Sequence, residues 1–320
     1  MKLLLLAEMA RAERAAWVDA LQAALAEVLP DHELLLSREA PGADGAEVAI
    51  VANPPPGSLA GLRHLRLIQS LWAGVDRLLA DATVPADVPL ARMVDPTMIA
   101  AMAETALWAV LSLHRGFFSY AGQQQSGQWV QLPQSRADAW PVLVLGFGQM
   151  GQAVAQRVAQ LGYPVTAWRR SADGAANAAG PPIRLVHGQD ALLPALAAAR
   201  IAINLLPLTP ATLGLFNAQC LAVMPHGAAF VNLARGAQVV DADLLTALDS
   251  GALSHAVLDV FQTEPLPADH CYWHHPRVTL LPHIAALTDP SSAARVVAAN
   301  VAALASGLAL RHLVRRGAQY

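Results

Sequence analysis

Three ionisable residues follow three strand-like apolar segments in the second half of the chain. Arg235 follows residues 228–233, Glu264 follows 257–260 and His283 follows 278–281. Parallel strands end at one edge of a sheet, where such folds bind ligands. A cation there can polarise a carbonyl group, and an imidazolium held protonated by a carboxylate can protonate the developing alkoxide. The three residue types therefore suit acid–base chemistry on a carbonyl compound.

Each of the three also has a plain structural interpretation. Arg235 could be a capping cation, Glu264 could be a turn carboxylate before a proline, and His283 could be an ordinary surface or core histidine. Their chain order and strand-end placement, together with a cofactor motif, favour catalysis.

That cofactor motif is the strongest local pattern in the chain. Gly146-Phe-Gly148-Gln149-Met150-Gly151 directly follows the apolar run 141–145 and opens a helical pattern. In this context the first glycine allows a tight turn, the second lets the backbone approach a pyrophosphate, and the third permits close packing of helix on strand. Free amides at the helix start can bind the phosphates. The motif predicts dinucleotide binding, with a simple glycine turn as the alternative.

The end of the next predicted strand, 165–168, indicates which nicotinamide cofactor is bound. An NAD site usually has a carboxylate there for the ribose hydroxyl groups, but this chain has Arg169, Arg170 and Ser171. Guanidinium groups suit a 2′-phosphate. The sequence therefore predicts NADP, with NAD as the weaker alternative; two solvated loop arginines are the plain interpretation.

The elements that must position these residues alternate between strand and helix. Residues 1–96 alternate in this way and predict a first α/β domain, and residues 97–285 predict a second, doubly wound domain. The segment 286–320, with an alanine-rich helical pattern, is expected to complete the first domain. Residues 119–139 are rich in Gln, Ser and Gly and predict a break in regular structure. Strand-like runs occupy 3–6, 32–36, 48–51, 65–71, 90–94, 141–145, 165–168, 201–205, 228–233, 257–260 and 278–281.

Composition and charge narrow the class of partner. The 320 residues are 55% hydrophobic and 14% charged, which excludes a disordered chain. A formal net charge of −3 gives no electrostatic basis for binding nucleic acid. No run of about 18 uncharged apolar residues predicts a membrane span, and Cys220 and Cys271 cannot form a disulfide framework. We expect a cytoplasmic protein with a small-molecule partner and no nucleic-acid or membrane partner.

With this ordered set of motifs the chain resembles the D-isomer-specific 2-hydroxyacid dehydrogenases, most closely the glyoxylate/hydroxypyruvate reductase A group. The resemblance covers nearly the whole chain and includes Ser-Leu-Trp-Ala-Gly-Val-Asp at 70–76, Met-Ala-Glu-Thr-Ala-Leu-Trp at 102–108, His-Arg-Gly at 114–116 and Leu-Leu-Pro-Leu-Thr-Pro at 205–210. It implies two doubly wound parallel-sheet domains of the α/β class, a Rossmann dinucleotide-binding domain and a flavodoxin-like substrate domain. It also implies a homodimer that uses NADPH to reduce a 2-oxo acid, glyoxylate to glycolate or hydroxypyruvate to D-glycerate.

The resemblance further assigns roles to individual residues. His283 would be the acid/base, Glu264 would tune it, and Arg235 would bind the substrate carboxylate and carbonyl. Trp72 stands where many relatives carry glycine, so it would narrow the pocket toward small acids, unless it is simply a core residue. The substrate carboxylate would be bound by the backbone amides of Ala73, Gly74 and Val75. The cofactor would also contact Leu206, Pro207, Thr209, Ala234 and Asp259, the last through its nicotinamide amide.

Other interpretations stay open. The chain could be another 2-oxo acid reductase or D-2-hydroxyacid dehydrogenase of the same family, or a non-catalytic NADP(H)-sensing protein similar to a corepressor. One loop gathers possible zinc ligands, but its spacing matches no standard site, so we expect solvated loop histidines and no metal. The loop residues are Asp269, His270, Cys271, His274 and His275.

Overall fold

A computed structural model describes residues 1–172 and 182–315 of the chain. The contacts between residues divide the chain into two compact units. The first comprises Met1–Met98 and the described residues from Thr288 onward, and the second comprises Ile99–Leu287. Each unit is built on its own parallel sheet.

The sheet of the first unit has five strands in the order β2-β1-β3-β4-β5. This is the flavodoxin-like order of a doubly wound sheet. Strand β3 and residues 3–7 of β1 are apolar because helices or loops cover both faces of the sheet, so that Leu4 and Leu5 are both fully buried. Strand β4 ends in two buried polar residues, Gln69 and Ser70. The strands are β1 (Lys2–Ala7), β2 (Glu33–Leu35), β3 (Val48–Ala52), β4 (Leu67–Ser70) and β5 (Leu90–Ala91).

Helices of the first unit come from both ends of the chain. The helix from the C-terminal part packs against the first helix, and Asp289 caps its N-terminus by accepting a hydrogen bond from the amide of Ser292. Buried Trp17 and Leu21 on one helix and Val297 on the other form the apolar faces. The helices are α1 (Arg11–Val28), α2 (Asp76–Ala80) and α9 (Pro290–Ala305), numbered in chain order.

The sheet of the second unit has seven strands in the order β12-β11-β10-β9-β6-β7-β8. The chain starts in the middle, moves outward to β8 and then returns to continue on the other side, which is the Rossmann arrangement. The order reverses between β6 and β9, where such sheets bind ligands. The strands are β6 (Val142–Leu145), β7 (Val165–Arg169), β8 (Ile183–His187), β9 (Ile201–Asn204), β10 (Ala228–Asn232), β11 (Leu253–Leu258) and β12 (Val278–Leu280).

Apolar clusters cover both faces of this second sheet. Successive residues of β10 alternate between them, with Phe230 in one cluster and Val231 in the other. The helices connecting the strands supply the remaining apolar side chains of both clusters. The helices are α3 (Pro96–Arg115), α4 (Phe117–Gln125), α5 (Gln149–Gln160), α6 (Leu192–Ala197), α7 (Ala218–Ala222) and α8 (Asp241–Asp249).

The predicted fold class is confirmed, but two elements were missed by the sequence prediction. The strand β8 lies at the sheet edge and is only partly buried, so it has no continuous apolar run. The helix α4 extends into the predicted break at 119–139 and has no buried residue. Without a buried face a helix leaves no hydrophobic period to detect.

One helix in the described part of the chain, α3, is long and apolar enough to cross a membrane by length and composition, with a mean hydropathy of 1.4. The core helices of soluble proteins pass the same test. Met102, Ala106 and Val110 of α3 are buried in the apolar cluster of the second unit. This packing is that of a core helix.

Candidate active site

The glycine motif forms the turn between β6 and α5. Gly146 has a φ of +101°, and a Cβ there would lie 2.9 Å from the carbonyl oxygen of Leu205. A Cβ on Gly151 would lie 1.8 Å from the carbonyl oxygen of Gly146. The fold itself therefore requires these two glycines.

The middle glycine of the motif has no such reason within the chain. No protein atom would lie within 4 Å of a Cβ on Gly148, which is the N-cap residue of α5 and makes no side-chain cap. Gln149 beside it is exposed, while Met150 is partly buried. An open, uncapped helix N-terminus of this kind fits the pyrophosphate of a dinucleotide.

The arginines predicted to select the cofactor lie at the carboxyl end of β7. The guanidinium group of Arg169 donates a hydrogen bond to the carbonyl oxygen of Ala172 at 2.5 Å. Arg170 and Ser171 are exposed. All three are thus at the edge of the sheet where the neighbouring strand β6 ends in the glycine turn, and their cofactor role stays a prediction.

The loop after β9 is folded by its own hydroxyl groups. The hydroxyl of Thr212 donates to the carbonyl oxygen of Pro207 at 2.7 Å and accepts the amide of Thr209 at 2.8 Å. Leu206 and Thr209 are buried, and Pro207 is exposed at the edge. The predicted cofactor contacts in this loop therefore start from a fixed backbone.

The two residues of the predicted acid–base pair are in contact. Nδ1 of His283 lies 2.7 Å from one carboxylate oxygen of Glu264, and the other oxygen accepts the amide of Phe261 at 2.9 Å. The hydrogen bond and charge of Glu264 raise the pKa of His283, and they outweigh its partial burial and the charge of Arg235. The pKa of Glu264 is lowered, since its hydrogen bonds and the nearby cations outweigh the raising effect of burial.

A buried carboxylate fixes the backbone around the histidine. Both oxygens of Asp259 accept backbone amides, from Ile284 at 2.7 Å and from Ala285 at 3.0 Å, and its carbonyl oxygen accepts the amide of His283. Burial raises the pKa of Asp259 despite these hydrogen bonds. His283 itself has a φ of +56°, a conformation that costs free energy without such support. Asp259 therefore positions His283, while its predicted contact with the nicotinamide stays a prediction.

The predicted substrate-binding arginine begins a short 3-10 turn after β10. The guanidinium group of Arg235 donates to the carbonyl oxygen of the buried Ala234 at 2.7 Å, and its charge lowers the pKa values of Glu264 and His283. A Cβ on the next residue, Gly236, would lie 1.9 Å from the backbone carbon of Phe261. This close approach brings the arginine loop against the segment that leads to Glu264.

Sequence analysis missed a group of buried amides between these loops. Asn204 and Asn232 are the last residues of β9 and β10, and Gln238 ends the turn after Arg235. All three are fully buried. A polar residue closing an apolar strand run was the available signal, because a buried amide needs hydrogen-bond partners that a simple strand does not supply.

The predicted substrate residues of the first unit lie in one loop. Residues 72–75 connect β4 to α2, at the carboxyl end of the strand. The ring of Trp72 packs edge-on against Trp17 at 6.0 Å, and its backbone is held by the hydroxyl of Ser70. Ala73 and Gly74 are partly exposed, and Val75 is buried. Trp72 is thus partly a core residue, and the roles of all four toward a substrate stay predictions.

Two histidines of the histidine-rich loop lie close to carboxylate groups. His270 lies 3.8 Å from a carboxylate oxygen of Asp241, and His275 lies 3.2 Å from one of Asp249. Among residues 1–172 and 182–315, no group of three or more His, Cys, Asp or Glu side chains is arranged to hold a metal ion.

Comparisons with known proteins bear on the whole chain. Residues 107–285 match the family model of the D-isomer-specific 2-hydroxyacid dehydrogenase NAD-binding domain. A glyoxylate/hydroxypyruvate reductase A of Serratia proteamaculans is 42% identical over 276 residues, covering 83% of this chain and 86% of that protein.

Solved structures give the same picture. A D-isomer-specific 2-hydroxyacid dehydrogenase of Xanthobacter autotrophicus, in complex with NADPH and MES, has a TM-score of 0.90 at 35% identity and covers 99% of both chains. An NADPH-dependent glyoxylate/hydroxypyruvate reductase of Sinorhizobium meliloti, with NADP and sulfate, has a TM-score of 0.89 at 31% identity, covering 100% of this chain and 99% of that one. The chain belongs to the D-isomer-specific 2-hydroxyacid dehydrogenase family and is an NAD(P)-dependent oxidoreductase.

Proposed function

We propose that this enzyme uses NADPH to reduce small 2-oxo acids, glyoxylate to glycolate and hydroxypyruvate to D-glycerate. The observation that carries the proposal is the 2.7 Å contact between Glu264 and His283, near the charge of Arg235. These groups share a sheet edge with the open glycine turn. The Serratia and Sinorhizobium relatives named above are glyoxylate/hydroxypyruvate reductases, which supports these substrates.

The chemistry follows from the charges of the three residues. The guanidinium group of Arg235 binds the substrate carboxylate and polarises the carbonyl group. His283, kept protonated by Glu264, donates its proton to the oxygen of that carbonyl as negative charge develops there. The reduced nicotinamide supplies the hydride. Burial of Asp259 and its two amide contacts keep the imidazole at the required position.

The cofactor assignment rests on Arg169, Arg170 and Ser171. Residues 169–171 at the end of β7 include no carboxylate to bind ribose hydroxyl groups, and they supply two cations and a hydroxyl group instead. Relatives from Xanthobacter and Sinorhizobium are complexes with NADPH and NADP. We expect NADPH to be preferred and NADH to be a poorer donor.

A spectrophotometric assay tests both assignments. We expect NADPH oxidation at 340 nm with glyoxylate or hydroxypyruvate to exceed that with pyruvate, and NADH to be slower. The double substitution Arg169→Gln with Arg170→Gln should raise KM for NADPH about thirtyfold, since each of the two lost guanidinium–phosphate contacts is worth roughly 1 kcal/mol. Arg184→Gln, an exposed arginine on the adjacent strand β8, serves as the control.

Other outcomes contradict particular parts of the proposal. Faster turnover with NADH would overturn the cofactor assignment and leave the reductase assignment standing. NADPH binding without turnover of any of the acids would favour another substrate in the family or a sensing role. A preference for pyruvate would overturn the assigned substrates.

We also propose a cytoplasmic homodimer. Trp129 has 93% of its surface exposed, and Val130, Phe117 and Trp108 near it in sequence are also exposed. Large exposed apolar side chains in one region are typical of a protein interface. Light scattering should give twice the 33.7 kDa mass of the chain, and Trp129→Ser should lower the association constant. A monomer at micromolar concentration would contradict this proposal.

A further inference from the structure

The three buried amides connect two loops of the active site through continuous hydrogen bonds. Nδ2 of Asn204 donates to Oε1 of Gln238 at 2.7 Å and to Oδ1 of Asn232 at 2.9 Å. The other polar atoms of these three side chains form hydrogen bonds with backbone atoms of the two loops. The amide network is defined here as Asn204, Asn232 and Gln238.

One end of the amide network holds the loop after β9. Nε2 of Gln238 donates to the carbonyl oxygens of Leu206 at 3.1 Å and Pro207 at 3.0 Å. Oδ1 of Asn204 accepts the amide of Leu206 at 3.1 Å. This loop carries the residues assigned above to the cofactor.

The other end holds the arginine loop. Nδ2 of Asn232 donates to the carbonyl oxygen of Arg235 at 3.0 Å, and its Oδ1 accepts the amide of Ala234 at 3.2 Å. The backbone on both sides of the Arg235 Cα is therefore tied to the same three side chains that hold the cofactor loop.

We propose that the amide network makes the cofactor loop and Arg235 one positioning unit, in which Gln238 sets the cofactor loop, Asn232 sets Arg235 and Asn204 couples the two. The inference rests on the proposed function, because it takes Arg235 as the substrate-binding cation. None of the three side chains touches the reacting atoms in this scheme. They act through the backbone of residues that do.

The choice of amide fits this role because each side chain must both donate and accept. An Asp at 232 would keep the contacts to Asn204 and Ala234 but lose the donor to Arg235, and a Glu at 238 would lose the donors to Leu206 and Pro207. A buried polar group that loses its partner is costly, so the loops would shift to find new partners. Each substitution thus releases one loop and keeps most of the shape.

A matched buried amide elsewhere provides the control. Asn300 in the first unit is 1% exposed, donates to Oε1 of Gln69 at 2.7 Å and accepts the amide of Arg311 at 2.9 Å. Asn300→Asp therefore perturbs a buried amide of the same kind that supports neither loop. It should lower the melting temperature without changing either binding constant more than twofold.

The test compares Asn232→Asp and Gln238→Glu by steady-state kinetics and by NADPH fluorescence titration. Asn232→Asp should raise KM for glyoxylate about tenfold and weaken NADPH binding by a smaller factor, about threefold, because Asn204 transmits part of the shift. Gln238→Glu should weaken NADPH about tenfold and also raise the glyoxylate KM at saturating NADPH, because Asn204 transmits the shift. In the double variant, KM for glyoxylate should rise by less than the product of the increases in the two single variants. If both constants stay within twofold in both variants while the melting temperature falls, the network is only structural and the proposal is wrong.

The same variants separate this inference from the proposed function. Calorimetry with oxalate, a planar analogue of glyoxylate, measures binding in the presence of NADP⁺ and needs no turnover. If wild-type enzyme reduces no 2-oxo acid, the function proposed above fails, and unchanged NADPH affinity in Gln238→Glu would still overturn the inference. Should a charged variant fail to fold, Gln238→Met and Asn232→Ala remove the same donors without a buried charge and carry the same expectations.

Discussion

Two polar groups at one edge of the seven-stranded sheet solve different problems. The pair of Glu264 and His283 is charged, and its side chains are 33% and 50% exposed. The amide network is neutral and fully buried. A group that must gain and lose a proton has to exchange it with water or substrate. A group that only fixes geometry forms stronger hydrogen bonds when it is buried, and its desolvation costs less free energy when it is uncharged. The proposed acid–base chemistry and the positioning of the loops thus depend on separate side chains.

The largest effect should come from the charged pair and should leave stability almost unchanged. His283→Ala removes the proton donor, so kcat for glyoxylate reduction should fall roughly 10²- to 10⁴-fold. Because the side chain is half exposed, the melting temperature should move by less than about 2 °C. His274→Ala, in the exposed part of the histidine-rich loop, is the control and should keep full activity. If His283→Ala retains most of the wild-type kcat, His283 is not the proton donor.

Substitution in the amide network should, in contrast, lower the stability of the protein. Asn204→Leu leaves Oε1 of Gln238 and the amide of Leu206 without their partner, at a cost of about 2–4 kcal/mol in the free energy of unfolding. The melting temperature should then fall by roughly 5–10 °C, measured by calorimetry or circular dichroism. An unchanged melting temperature would show that this network contributes no stability and would break the contrast.

The pH dependence should distinguish the carboxylate from the imidazole in the charged pair. Glu264 favours the protonated form of His283 and so raises its pKa; reduction is therefore supported below that pKa and lost as pH rises through it. In Glu264→Gln the pKa of His283 falls, the alkaline limb of kcat/KM moves to lower pH, and the rate at pH 8 drops about tenfold. Glyoxylate reduction measured from pH 5 to 9 checks this. If the alkaline limb of kcat/KM lies at the same pH in Glu264→Gln as in the wild type, a group other than His283 causes it.

A smaller effect, on the pH dependence of stability, is expected from the imidazole of His255. His255 is bonded to the hydroxyl of Thr279 and stacks on Phe118, and burial followed by the charge of His275 lowers its pKa to about 4. The unfolded chain binds this proton at higher pH than the folded chain, so stability should decrease as pH falls from about 6.5 toward 4, by about 1 kcal/mol at pH 5.5. His255→Gln should flatten thermal stability over this range. Equal pH slopes for the two proteins would contradict the lowered pKa.

Sequence analysis identifies the ionisable residues at the strand ends, but it does not identify the residues that fix the backbone of the loops. Arg235, Glu264 and His283 are predicted as site residues because each follows an apolar run, and that rule depends only on parallel strands ending together. The requirement for Gly236 could not be found in this way, since it comes from the backbone of Phe261, 25 positions away in the chain. The partners of Asn204 and Asn232 likewise exist only after the strands are ordered. Long-range contacts of this kind have no local pattern.

The contact between Gly236 and Phe261 sets a rule for redesign. With a Cβ only 1.9 Å from a backbone carbon, position 236 admits no other amino acid unless the neighbouring loop is rebuilt as well. A library that varies the arginine loop alone would sample sequences whose backbone can no longer close. Transplanting specificity from a relative would therefore require residues 234–238 and 259–264 to be exchanged as one cassette.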